Sequence, residues 1–370
     1  MLALVVGCLA ETQATACSLC GANLLQAPTL RQEAGAQTAR IIVIGTPRDR
    51  AGAAGASDLD ITEVIRRDAA LGDRKSIELS RYVPNDPKDP TKFLVFCDVF
   101  KEKIDPFRGV PLKSAAAIEY VRKVVALDPK DTAGNLAFFF RYLDHSDPEL
   151  ARDAFAEFAK GGDLDLAKAA PRLSADKLRA WLDSKDTPAE RLSMYGLLLG
   201  ACGRAEDVGF IERLLADTSE RITNAYDGIL AGYMHLRPRE GWQIALAVLR
   251  DSKKPLPLRL AVVRTLRFWH GAQPRESRDN LLRCFTIMLP QPDLADLAVE
   301  DLRRWEMWDL SRDIVSLYGR KGFDAPLLQQ AILRFALTCK DATCRGFIDD
   351  RRRAEPDVVR EVEEQLQLEK

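Results

Sequence analysis

The chain reads as an α+β protein, a small N-terminal all-β unit followed by an α-α superhelix of stacked helix pairs. Three observations predict this. Residues 41–106 hold short β-branched and aromatic runs broken by Gly, Pro and Asp turn signals. From Ala115 onward apolar residues recur at helical spacing, with no convincing strand among them. Prolines that open helices recur at a near-constant interval: 35 residues from Pro257 to Pro292, 34 from Pro292 to Pro326, and 69, close to double, from Pro188 to Pro257.

Residues 29–39 read as a short polar helix or loop, and strands follow. Ile41-Ile42-Val43-Ile44 is a β-branched run that Gly45 and Pro47 are expected to end. The Gly/Ala stretch 51–57 reads as a hairpin loop. Leu59, Ile61, Val64 and Ile65 mark a second strand, Ile77 and Leu79 a third, and Phe93–Phe100 the strongest one. A fifth short segment spans Lys103–Pro106. Five short strands with turns between them suggest a small barrel or sandwich.

Pro111 marks the switch to helix. Ala115, Ile118, Val121, Val124, Val125 and Leu127 lie at helical spacing. Later helices open at Asp147-Pro148, Thr187-Pro188 and Gln291-Pro292, where proline's missing N–H costs nothing. The step from Pro148 to Pro188 is 40 residues, which an insertion near Gly161-Gly162 accounts for. Apolar residues recur six and ten positions behind the prolines: Ala154 and Phe158, Ala298 and Leu302, Ile332 and Ala336. A helix pair of this length cannot cover its own apolar face, so neighbouring pairs must stack. The expected organisation is a leader at 1–16, a β-unit at 17–110 and a helical unit at 111–370.

Composition narrows the function classes. A chain of 370 residues exceeds one compact core of ordinary size. Lys and Arg total 54 against 55 Asp and Glu, so no global basic field gathers nucleic acid, and no nucleic-acid partner is expected. No apolar run reaches the roughly 18–20 residues that span a bilayer. Met1–Ala10 is apolar, and Ala14-Thr15-Ala16 has the small-x-small form of a signal-peptidase site. The segment reads as a leader cleaved to leave Cys17 first, making the mature protein periplasmic or secreted. The alternatives are lipid attachment at Cys8, within Val5-Val6-Gly7-Cys8, and an uncleaved cytoplasmic start.

Asp147-Pro-Glu-Leu-Ala-Arg-Asp-Ala-Phe-Ala156 and Leu256-Pro-Leu-Arg-Leu-Ala-Val-Val-Arg-Thr-Leu266 resemble the helix passages of HEAT repeats, with that family's proline, small residue and arginine. Gly228 and Trp242 mark looser units. The resemblance covers about residues 113–350. It implies an armadillo-type solenoid serving as a non-enzymatic scaffold, with protein partners on the concave face. The N-terminal part is more faintly similar to netrin-like OB barrels, through Phe93-Leu94-Val95-Phe96 and a terminal cysteine cluster, here Cys17-Ser-Leu-Cys20 rather than Cys-x-Cys. That likeness implies a ligand-binding or inhibitor module. Together the chain looks like exported bacterial proteins joining such a head to helical repeats.

Cys17 and Cys20 are the most specific local pair. A structural disulfide, with Cys97 a candidate partner, competes with thiol-disulfide chemistry and with metal handling. Cys339 and Cys344 flank the turn Lys340-Asp-Ala-Thr343; they read either as a local disulfide, given a Cα separation of about 4.4–6.8 Å, or as two helix-end thiols. Cys202 and Cys284 fall in apolar helical patterns and read as packing. Asp58-Leu-Asp60-Ile-Thr62 matches a short phosphatase nucleophile motif, but that chemistry needs an apolar strand before the first aspartate. Here a Gly/Ala loop precedes it, so strand alternation explains the pattern. His145, His235 and His270 are scattered over different repeats, and no nucleophile elbow or phosphate-binding loop occurs. Trp181, Trp242, Trp269, Trp305 and Trp308, with Phe138–Phe140, read as core first and as a carbohydrate or peptide groove second. Arg303-Arg304, Asp349–Arg353 and Glu361–Glu364 read as solvated helix faces. No catalytic, cofactor or metal constellation is expected, and the chain is read as a monomer or weak oligomer.

Overall fold

The computed structural model describes residues 27–50, 55–86 and 88–369. The chain divides into two compact units, one through Leu173 and one from Ser174 onward.

The first unit holds one antiparallel sheet of β1 (Ile41–Asp49), β2 (Ser57–Arg66), β3 (Ser76–Glu78), β4 (Lys92–Phe100) and β5 (Lys103–Leu112), in the order β3-β2-β1-β4-β5. Among the described residues β3 and β5 do not pair, so the sheet remains an open half-barrel. The β-branched run Ile41–Ile44 lies where β1 has neighbours on both sides, and all four side chains are buried. Ile41, Val43, Leu59, Ile77, Val95 and Cys97 share one core cluster.

The expected end of β1 at Gly45 and Pro47 is corrected, because the strand runs on to Asp49. Pairing with β4 stops at Gly45, and beyond it β1 has only β2 as a neighbour. A proline is tolerated in a strand with one open edge. Gly45 itself allows a close approach, since a Cβ there would lie 2.5 Å from the Asp60 carbonyl oxygen. The β1–β2 register slips at that point, as in a bulge.

Five helices join this sheet: α1 (Leu30–Gly35), α2 (Ala115–Val125), α3 (Thr132–Phe139), α4 (Pro148–Lys160) and α5 (Asp163–Ala169). Thr29 and Gln32 form a reciprocal capping box at the start of α1. The same end is held by α4, where Asp153 accepts from the Leu30 amide at 2.9 Å and Glu157 pairs with Arg31 at 2.8 Å. Arg122 of α2 pairs with Glu63 of β2.

The second unit is helical throughout its described residues. Its helices are α6 (Ala175–Asp183), α7 (Ala189–Cys202), α8 (Val208–Ala216), α9 (Glu220–Thr223), α10 (Tyr226–Leu236), α11 (Pro238–Arg250) and α12 (Leu256–Ala272). Then follow α13 (Arg278–Met288), α14 (Ala295–Arg304), α15 (Ser311–Val315), α16 (Pro326–Thr338), α17 (Ala342–Ala354) and α18 (Pro356–Leu368). Helices pack on the next but one: α10 on α12, α11 on α13, α14 on α16, α15 on α17 and α16 on α18. Adjacent helices also pair, as α10 with α11 and α17 with α18, an arrangement consistent with helical repeats.

Pro148, Pro326 and, unanticipated, Pro238 and Pro356 stand at first helical positions. Pro188 caps α7, whereas Pro292 precedes α14 by a turn. The tightest packing joins α7 and α10. A Cβ at Gly228 would meet the Ser193 carbonyl oxygen at 1.8 Å, and one at Gly200 would meet Gly232 Cα at 2.2 Å. Glycine is required there to let two backbones touch.

Candidate functional site

Ion pairs with one buried partner link the helices. On α12, Arg264 reaches back to Asp227 of α10, while Arg267 reaches forward to Asp301 of α14 with Nε–Oδ2 at 2.8 Å. Arg259, buried at the start of α12, pairs with Asp293 and donates to Gln291 Oε1 at 2.9 Å. Arg179 of α6 pairs with the fully buried Asp207. Removing either partner of such a pair leaves a charge short of hydrogen bonds.

Between α11 and α13, on this frame, lies a cleft of about 600 Å³. Trp242 from α11 and Trp269 from α12 line it, with ring centroids 6.5 Å apart, and both are largely buried. Local sequence explains their placement. Pro238 starts α11, and Gly241 lets that helix close on Met234, because a Cβ would meet Met234 Cγ at 2.4 Å. Ser277, buried at the start of α13, donates to the carbonyls of Gln273 at 2.6 Å and Trp269 at 3.2 Å, tying the end of α12 to the next helix.

His235 packs on Trp269 with centroids 4.9 Å apart, and burial holds its imidazole below the ordinary histidine range, so the ring is uncharged at neutral pH. The Trp269 Nε1 donor is buried without an acceptor among the described residues. Around these rings stand Arg239, Gln243, Glu276, Asn280 and Arg283. None of the five side chains has a hydrogen-bond or ion-pair partner among the described residues, in contrast to Arg259, Arg264 and Arg267 nearby. Apolar faces flanked by uncommitted donors and one carboxylate make a binding surface.

The cysteines fall into three situations. Cys17 and Cys20 lie outside the described residues, as do the leader expected at 1–16 and its alternative at Cys8. Cys97 lies in the sheet core, and burial pushes its thiol up to about 12; Cys284 is buried likewise, also at about 12. Cys202 is partly buried at the end of α7, its thiol raised to about 11, again by burial. Cys339 and Cys344 are both buried free thiols, and their sulfurs and the Asp341 carboxylate all lie within 4.8 Å of one another.

Other singled-out residues are structural. Asp58 and Asp60 sit on β2 and pair across the strands with Arg48 and Arg50, the latter at 2.7 Å to Asp58. Trp305 stacks on His270 at 3.8 Å, Trp308 meets Phe335 and Trp181 meets Tyr195. Phe138 and Phe139 cluster with Tyr120, and Phe140 is buried. His145 accepts from the Asp147 amide at 3.0 Å. Arg303 departs from the solvated-face reading: its side chain is 10% exposed, held by Glu300 and Glu369. Arg351 likewise lies over the Tyr318 and Phe347 rings.

The cleft joins Trp242 and Trp269, which the sequence marks as aromatic, to polar residues it does not mark. A signal was present: Arg239 and Gln243 are one turn apart on α11, and Glu276, Asn280 and Arg283 follow helical spacing into α13. Comparison with protein-family models, curated proteins and solved structures returns no match.

Proposed function

We propose that this chain is a non-enzymatic protein-binding scaffold of the HEAT type, acting outside the cytoplasm, and that the Trp242–Trp269 cleft takes a peptide segment of its partner. The observation that carries the reading is the ring of uncommitted side chains above two indoles. Arg239, Gln243, Glu276 and Arg283 are exposed and Asn280 is half-buried, so their polar ends ring an apolar floor uncommitted and are suited to meet another chain. The segment that fits has an aliphatic or aromatic side chain for the indoles, and a carboxylate or backbone carbonyls for Arg239 and Arg283.

The HEAT assignment is supported by helix-to-helix bonds at repeat-like separations. Ser193 to Asp227 and Arg267 to Asp301 each span 34 residues. The OB-type reading of the first unit is supported by its five antiparallel strands with β1 between β2 and β4. Export is supported by the apolar Met1–Ala10 and the small residues Ala14 and Ala16.

A photo-crosslinker at Gln243 tests the binding reading. Cross-links should converge on one segment of one partner and fall at least about tenfold in the double variant Arg239→Glu/Arg283→Glu, whose exposed sites leave folding intact. Cross-links that scatter over many proteins, or survive the charge reversal, defeat it. An intact mass starting at Cys17 supports export.

A further inference from the structure

We propose that Cys339, Asp341 and Cys344 form a binding site for a thiophilic divalent cation, with Zn²⁺ the ion this donor set suits best. The group sits where α16 ends and α17 begins: Cys339 caps α16, Asp341 caps α17 and Cys344 lies in the first turn of α17. Their donor atoms are already within 4.8 Å of one another. Around a tetrahedral ion with bonds of about 2.0–2.3 Å, donors lie about 3.3–3.8 Å apart. Small rotations of three side chains close that difference.

The carboxylate is what separates this cluster from a simple thiol pair. It gains nothing from a disulfide and disfavours thiolates beside it, but it adds a hard oxygen to two soft sulfurs, a mixed anionic donor set that zinc accepts. The carboxylate is also held in place: the Cys344 amide donates to Asp341 Oδ1 at 2.7 Å, the capping bond of α17. Binding replaces the two thiol protons, which pass to solvent, while the carboxylate enters ionised; two thiolates and a carboxylate around a dication leave one negative charge. The amino end of α17, 13 residues long, faces that charge favourably. The fourth tetrahedral position falls to water or to an external donor.

The test uses the full chain kept reduced by a phosphine, with residue-resolved alkylation read by mass spectrometry. One equivalent of Zn²⁺ should slow alkylation of Cys339 and Cys344 at least about tenfold and leave Cys97, Cys202 and Cys284 unchanged. Asp341→Asn should weaken Zn²⁺ binding by about tenfold or more, yet keep the fold, because asparagine caps helices as well as aspartate. With Co²⁺ as a probe, the thiolate charge-transfer band should persist in Cys17→Ser/Cys20→Ser and be lost in Cys339→Ser/Cys344→Ser. The proposal is overturned if excess Zn²⁺ leaves both thiols as reactive as before, if Asp341→Asn binds as tightly as the native chain, or if protection resides only at Cys17 and Cys20. Oxidation that joins Cys339 to Cys344, with no protection by Zn²⁺ in the reduced chain, makes the pair a disulfide site only and overturns it as well.

Discussion

Asp227 of α10 and Arg264 of α12, 37 residues apart in sequence, form an ion pair whose carboxylate is 4% exposed. Ser193 of α7 donates to the same carboxylate at 2.8 Å, so one side chain ties α7, α10 and α12 together. Asp227→Ala removes every acceptor of that carboxylate at once and should cost about 3 kcal/mol. Arg264→Ala should cost less, because Ser193 Oγ and the Gly228 amide still donate to the carboxylate and Arg264 is half exposed. Urea denaturation reads both. Equal losses for the two variants would refute the central role given to Asp227.

Glycine inside a helix normally costs about 1 kcal/mol relative to alanine. Gly346 in α17 has nothing within 4 Å of a Cβ, so Gly346→Ala should stabilise by about that amount. Gly228→Ala should do the opposite, losing about 2 kcal/mol or more, since its Cβ has no room beside Ser193. A rise in melting temperature for both variants would mean that α7 and α10 lie further apart than described.

The β4–β5 hairpin turns through Lys101 and Glu102, with φ of 48° and 64°. Two-residue turns of this hand favour Asn-Gly, and side chains other than asparagine and aspartate are strained there. Lys101→Asn/Glu102→Gly should therefore stabilise the first unit by about 1–2 kcal/mol. Thermal unfolding followed by a probe in that unit measures it, and a loss would show that these side chains hold the hairpin.

Burial, the largest cause, raises the Asp153 carboxyl above its ordinary range, against hydrogen bonds from Tyr120 and the Leu30 amide. The folded state therefore keeps the proton longer than the unfolded one. The associated stability is fully present below the unfolded value of about 3.9 and is lost as pH rises through the folded value. Asp153→Asn never acquires the charge, so it should match the native chain near pH 3.5 and equal or exceed it at pH 7. Stability curves against pH decide. A variant markedly weaker at pH 7 than at pH 3.5, relative to native, would show that the ionised form is the one preferred.

Much of the fold was legible because it is local. β-branched Ile41–Ile44 and the apolar Phe93–Phe100 prefer strand whatever surrounds them, and helix-opening prolines announce themselves by a missing N–H. Continuation of β1 through Pro47 was not legible, because it depends on which edge β4 leaves open. Arg303 looked solvated from its charged neighbours, but Glu369, far along the chain, returns to cover it. The contact of the Gly228 backbone with Ser193, 35 residues earlier, was not legible either. At the cleft, Trp242 and Trp269 were visible as aromatic residues, while the ring of free polar groups around them was not. The spacing of Cys339 and Cys344 was plain, and the carboxylate between them acquired meaning only when the turn brought it to the sulfurs.

Periodicity, turn residues and composition were enough to determine that strands come first and paired helices after, since each reflects the preferences of neighbouring residues. Tertiary structure alone decided which charges are buried together, where glycine is obligatory and which aromatic rings share a cleft. Those depend on distances between residues about thirty-five positions apart, and such distances exist only once the helices have packed.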